Sequence, residues 1–105
     1  MPTIVLISRH SPENCFLFNE KAREVRMEFL SKAGELSKKH GIKVLGSGTV
    51  IKEHIAVVLY EVPSLEAYVK YSMEPEVLAL SAYETVEAKT AVGRGEVAKL
   101  LRQAK

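Results

Sequence analysis

His10, Cys15 and His54 carry the side chains in this sequence best suited to hold a metal or attack a substrate. His10 and Cys15 fall in one short segment, His10-Ser11-Pro12-Glu13-Asn14-Cys15, which contains the only cysteine and one of the 3 histidines. The segment follows an apolar stretch, and loops leaving strands often bear binding and catalytic groups. Two chemistries suit it. An imidazolium and the free amides of a helix start would stabilise a thiolate, making His10 and Cys15 candidate catalytic groups. Imidazole and thiolate also ligate zinc, copper or iron, with His54 as the natural third ligand. Each residue has a structural reading beside the chemical one: Cys15 as a small buried hydrophobe, His10 as a hydrogen-bonding turn residue, His54 as a hairpin-end surface residue.

Those residues must be positioned by elements that the sequence periods define. Thr3 to Arg9 reads as a strand. Ser11, Pro12 and Glu13 form a helix-start signature, since serine caps free amides, proline suits the first helical position and glutamate favours the positive dipole end. Ser11 to Phe18 is then a tight turn or a single helical turn. Asn19 is a second cap, after which Ala22, Val25, Phe29, Leu30, Ala33 and Leu36 recur at helical spacing until Lys38, Lys39, His40 and Gly41 end the helix. Ile42 to Ile51 and Ile55 to Val62 read as a hairpin around Lys52-Glu53. Pro63-Ser64-Leu65-Glu66 opens a second helix with Leu65, Tyr68, Val69 and Met73 on its apolar face, and Pro75 interrupts it. Thr85 to Val92 is a last strand, and Gly93-Arg94-Gly95 leads into an amphipathic tail with Val97, Leu100 and Leu101.

This order predicts an α+β, ferredoxin-like βαββαβ fold with an extra C-terminal helix and a four-stranded antiparallel sheet, residues 1–105 forming a single domain. Ile4 and Leu6 oppose Val5 and Ile7 across the first strand, as Ile55, Val57 and Leu59 oppose Ala56, Val58 and Tyr60 across the third. Two helices cover one sheet face only, so the second apolar face predicts a homodimer packed sheet to sheet. Gly46 and Gly48 leave space for a ligand against the second strand, and Tyr60 is a candidate lining residue of an inter-sheet cavity. With the first and third strands taken as parallel, His54 stands about 20 Å or more from the turn, so a partner subunit would have to deliver it.

The arrangement of elements resembles the dimeric α+β barrel superfamily, which includes small monooxygenases, isomerases and ligand-sensing domains. The turn itself is similar to that of small ferredoxin-like proteins bearing His-x-Pro-Glu-Asn-Cys-Pro and a later Glu-His pair, here Glu53-His54, with Phe16 in place of the proline. The resemblance implies a fold and a dimer, and one fold hosts many activities.

Composition narrows the function further. A formal net charge of +2 from 15 basic and 13 acidic residues, without a basic aromatic patch, argues against nucleic acid. The apolar start at Pro2 to Ile7 lacks the features of a signal peptide, and no segment reaches membrane-spanning length, so no membrane partner is expected. A single cysteine fits the cytoplasm. Three readings follow: a cofactor-free or metal-assisted enzyme or redox protein using the His/Cys turn; a small-molecule-binding or sensor module that holds its ligand in an inter-sheet cavity without converting it; or a purely structural or assembly domain, over which the turn favours the first.

Overall fold

The computed structural model describes residues 2–104 and has an α+β architecture: a four-stranded antiparallel sheet and four helices, the first two contributing to the core on one face. Strands β1 (Thr3–Arg9), β2 (Lys43–Val50), β3 (Ile55–Glu61) and β4 (Thr85–Ala91) lie in the order β2-β3-β1-β4. Helix α1 (Glu20–Lys39) joins β1 to β2, and α2 (Leu65–Ser72) and the short α3 (Pro75–Leu78) lie between β3 and β4. Helix α4 (Arg94–Gln103) follows β4. No helix among the described residues is long and apolar enough to cross a membrane.

The local signals in the sequence account for most boundaries. Pro12–Asn14 is a single 3-10 turn. The Asn19 side chain accepts a hydrogen bond from the Ala22 amide and caps α1, and Ser64 does the same for α2 through the Ala67 amide. At the other end of α1 the chain turns at Gly41, whose φ of 68° favours a residue without a Cβ.

Strand direction departs from the expectation. β1 and β3 are antiparallel, with Thr3 opposite Glu61 and Arg9 opposite Ile55. The connections require this: β1 and β2 each run antiparallel to β3, so the α1 crossover preserves direction and the following hairpin reverses it. The end of β1 therefore meets the start of β3 within one chain.

Alternation assigns the two faces. Ile4 and Leu6 on β1 stand opposite Tyr60 and Val58 on β3, and with Leu36, Ile42, Val62 and Tyr71 they build the core beneath the helices. Val5 and Ile7 pair with Leu59 and Val57 on the other face, which no helix covers, and Val57 is exposed. Helix α2 is rotated from its expected orientation, with Tyr71 buried and Leu65, Val69 and Met73 exposed. The reason lies in the rings. Tyr71 packs edge-on to both Tyr60 and His40, at centroid distances of 5.9 and 6.1 Å, and an aromatic ring buries more surface than a single aliphatic residue. Leu30 of α1 also faces outward, leaving Phe29 to pack against the core.

Gly41 gives a direct check on this account. A Cβ there would stand 2.9 Å from Pro63 Cγ, and the positive φ penalises any side chain. Gly41→Ala should therefore lower unfolding stability by at least about 1–2 kcal/mol in urea denaturation.

Candidate metal centre

The β1–β3 register places His10 and His54 side by side. The His10 amide donates to the His54 carbonyl at 3.2 Å, continuing the ladder one step past the paired strands. Above this backbone contact, His54 Nδ1 lies 3.2 Å from His10 Nε2, with the rings edge-on at a centroid distance of 5.0 Å. Cys15 completes the group, and one ligand atom from each of the three residues lies within 4.8 Å of the others. The expectation that a partner subunit must deliver His54 is thus corrected: the antiparallel register brings it to His10 in the same chain.

Each residue is held by a different device. His10 follows the last paired residue of β1. Cys15 ends the 3-10 turn, its amide donating to Pro12 and its carbonyl accepting from the Phe18 and Asn19 amides. His54 closes a second 3-10 turn, Ile51–Glu53, in a left-handed conformation with φ 57° and ψ 42°. It is the only described non-glycine residue with positive φ, a conformation uncommon outside glycine and enriched at functional sites.

Burial changes the chemistry expected of the thiol. Cys15 is 2% exposed, and its amide is already bonded at the C-terminal end of the turn, so free helix-start amides do not face it. A reagent reaches this sulfur only when the turn opens. The buried sulfur lies next to two imidazoles.

A cavity of about 10 Å³ lies among the three side chains and is walled by Phe16, Leu17, Thr49 and Ile51. That is roughly one water-sized body. Two nitrogens bound at about 2.0–2.1 Å to a tetrahedral ion stand about 3.3 Å apart. The His10–His54 separation of 3.2 Å, itself a hydrogen bond between the two rings, is close to that edge, and with one atom of each residue within 4.8 Å of the others the sulfur completes an N₂S donor set suited to a borderline or soft metal.

The other candidate ligand residues occupy different places. Gly46 and Gly48 lie opposite Leu59 and Val57 on the uncovered face, and a Cβ on either would meet nothing within 4 Å. Tyr60 lies on the opposite face, where it lines a cavity of about 360 Å³ between the sheet and its own helices. That cavity is formed within one chain, so Tyr60 does not face the uncovered side of the sheet.

Three contributors escaped the sequence reading. Phe16 packs edge-on to His10 at 6.0 Å, and the Arg26 guanidinium sits 5.3 Å from the Phe16 centroid. Glu84 pairs with Arg26 at 2.8 Å. A signal for Arg26 was present, because it sits four residues after Ala22 and three before Phe29 on the inward stripe of α1.

No protein family and no curated protein matches this chain. Among solved structures it is similar to protein Atu4242 from Agrobacterium tumefaciens, with a TM-score of 0.57 and 16% identity over 90% of this chain and 95% of that one. At that identity the likeness shows the fold alone.

Desolvation holds the His10 pKa below its ordinary 6.5, with the nearby His54 and Arg26 charges acting in the same direction. His10 is therefore more easily protonated in the unfolded chain than in the folded one. The stability linked to its neutral ring is fully present above the unfolded value of 6.5 and is lost as pH falls through the lower folded value. In chelator-treated protein, ring resonances in a pH titration should place the His10 midpoint below 6.5, and His10→Asn should flatten the acid-side loss of stability; a midpoint at or above 6.5 would contradict the desolvated site.

Proposed function

We propose that this chain is a metal-binding protein in which His10, Cys15 and His54 of one molecule hold a transition metal such as zinc, copper or iron. The observation that carries this reading is the 3.2 Å separation of the two imidazole nitrogens beside the buried thiol. Neutral imidazole is the ligating form, and the depressed His10 pKa favours it. Three protein ligands leave a coordination position open, the usual arrangement of a catalytic or exchangeable site rather than a closed structural one. A redox or metal-assisted enzyme is the activity class this donor set suits.

Cobalt(II) offers a direct test. Added to protein purified without an affinity tag and stripped by chelator, it should bind one per chain and give a thiolate-to-metal absorption band. Cys15→Ser should remove the band, and His10→Ala should weaken binding by more than about 100-fold, beyond the usual effect of losing an outer-shell partner. His54→Gly should weaken it similarly while keeping or raising the stability of metal-free protein, because glycine relieves the left-handed backbone. Binding that is unchanged in the histidine variants would remove this reading.

The same reading includes assembly. A ferredoxin-like chain whose uncovered face carries Val5, Ile7, Val57 and Leu59 suits a homodimer of the dimeric α+β barrel kind, with a second copy covering that face. The free thiol, in turn, suits the reducing cytoplasm. Sedimentation at micromolar concentration should give a dimer, and Leu59→Asp should yield monomer or aggregate. A compact wild-type monomer at that concentration would rule the barrel dimer out.

A further inference from the structure

One cavity lies away from the three metal-ligand candidates, between the sheet and the helices. At about 360 Å³ it exceeds twice the roughly 150 Å³ of a cavity that accommodates benzene, and it opens to solvent along β4, where Val86 and Ala88 are exposed. Sheet residues Leu6, Val58 and Ala88 form its floor, and Tyr68, Val77 and Leu78 lie on the helical side. Its wall carries two charged residues, Arg26 and Glu84, which neutralise each other at 2.8 Å. The Glu84 side chain is only 7% exposed. Arg26 Nε is buried without a hydrogen-bond partner, and Arg26 and Glu84 together form the charged part of the lining.

We infer that this cavity binds an uncharged, largely apolar small molecule bearing a hydrogen-bonding group, such as a phenol or a ketone. The charge pattern selects that class. A carboxylate would leave water to face Glu84 without a free cation to meet it, and an ammonium would face Arg26 in the same way. The apolar body of the ligand replaces empty volume, and its polar group lies toward Arg26, Glu84 and the tyrosine hydroxyls. Burial raises the pKa of Tyr60 and Tyr68, so both hydroxyls remain protonated donors. This inference does not depend on the metal reading, because none of the three ligand residues lines the cavity.

Calorimetric titration of chelator-treated protein with 2-naphthol and 2-naphthoate tests it apart from any metal. 2-Naphthol should bind one per chain, and 2-naphthoate should bind at least about tenfold more weakly, because its charge must be desolvated. Ala88→Phe, which fills the cavity from β4, should weaken 2-naphthol binding by a similar factor. Should that variant fail to fold, wild-type nuclear Overhauser contacts between the naphthol and the Tyr60 and Tyr68 rings decide the matter: their presence supports the site and their absence overturns it. No binding of 2-naphthol, equal binding of 2-naphthoate, or full affinity in folded Ala88→Phe would each overturn the inference.

Discussion

The antiparallel ladder between β1 and β3 is the constraint on which the rest of this molecule depends. Its register sets Arg9 opposite Ile55, so the residues just beyond those two, His10 and His54, are neighbours. The same register puts Ile4 and Leu6 on the face of Tyr60 and Val58, which is the face the helices cover. Core and candidate site therefore share one alignment. A slip of one residue would turn β3's buried side chains toward the open face and separate the two imidazoles. The apolar core fixes the register, and the register fixes the site.

The turn before β3 shows a local tension within that scheme. A left-handed residue is needed to close the 3-10 turn and enter the strand, and glycine would adopt the conformation freely. The chain has histidine there instead, at φ 57°. Left-handed backbone costs an ordinary residue about 1–2 kcal/mol, so the imidazole is held at some expense in backbone energy. The His10–His54 contact and the amide-to-carbonyl bond beneath it hold this residue against the end of β1. A surface histidine at an ordinary hairpin end would show neither.

Local chemistry was more legible in the sequence than global geometry. The caps at Asn19 and Ser64, the proline-led turn and the alternation of β1 all depend on side chains near in sequence, and the elements form where those signals lie. The three candidate ligands were legible as residue types, but their convergence was not, because it rests on strands separated by a helix and a hairpin. Even so, strand direction followed from the connections: one crossover preserves it and one hairpin reverses it. The facing of α2 was hidden for another reason. Leu65, Val69 and Met73 form a regular apolar stripe, yet Tyr71 has partners on either side in Tyr60 and His40, and specific ring packing prevailed over periodicity.

Arg26 joins regions that the sequence presents separately. It lies on the inward stripe of α1, reaches over the Phe16 ring of the His10–Cys15 turn and pairs with Glu84 just before β4. Glu84 is nearly buried, and a buried carboxylate that loses its cation is strongly destabilising. The pair therefore fastens the turn to the start of β4, the edge strand beside β1 in the order β2-β3-β1-β4. Arg26 also contributes to keeping His10 neutral, through the repulsion its positive charge exerts on an imidazolium. One guanidinium thus acts on both the polar end of the cavity and the protonation of a candidate ligand. Exchange for lysine would keep the charge but lose the planar group that stacks on Phe16 while pairing with Glu84, so the two regions would no longer be tied by a single side chain in the same way.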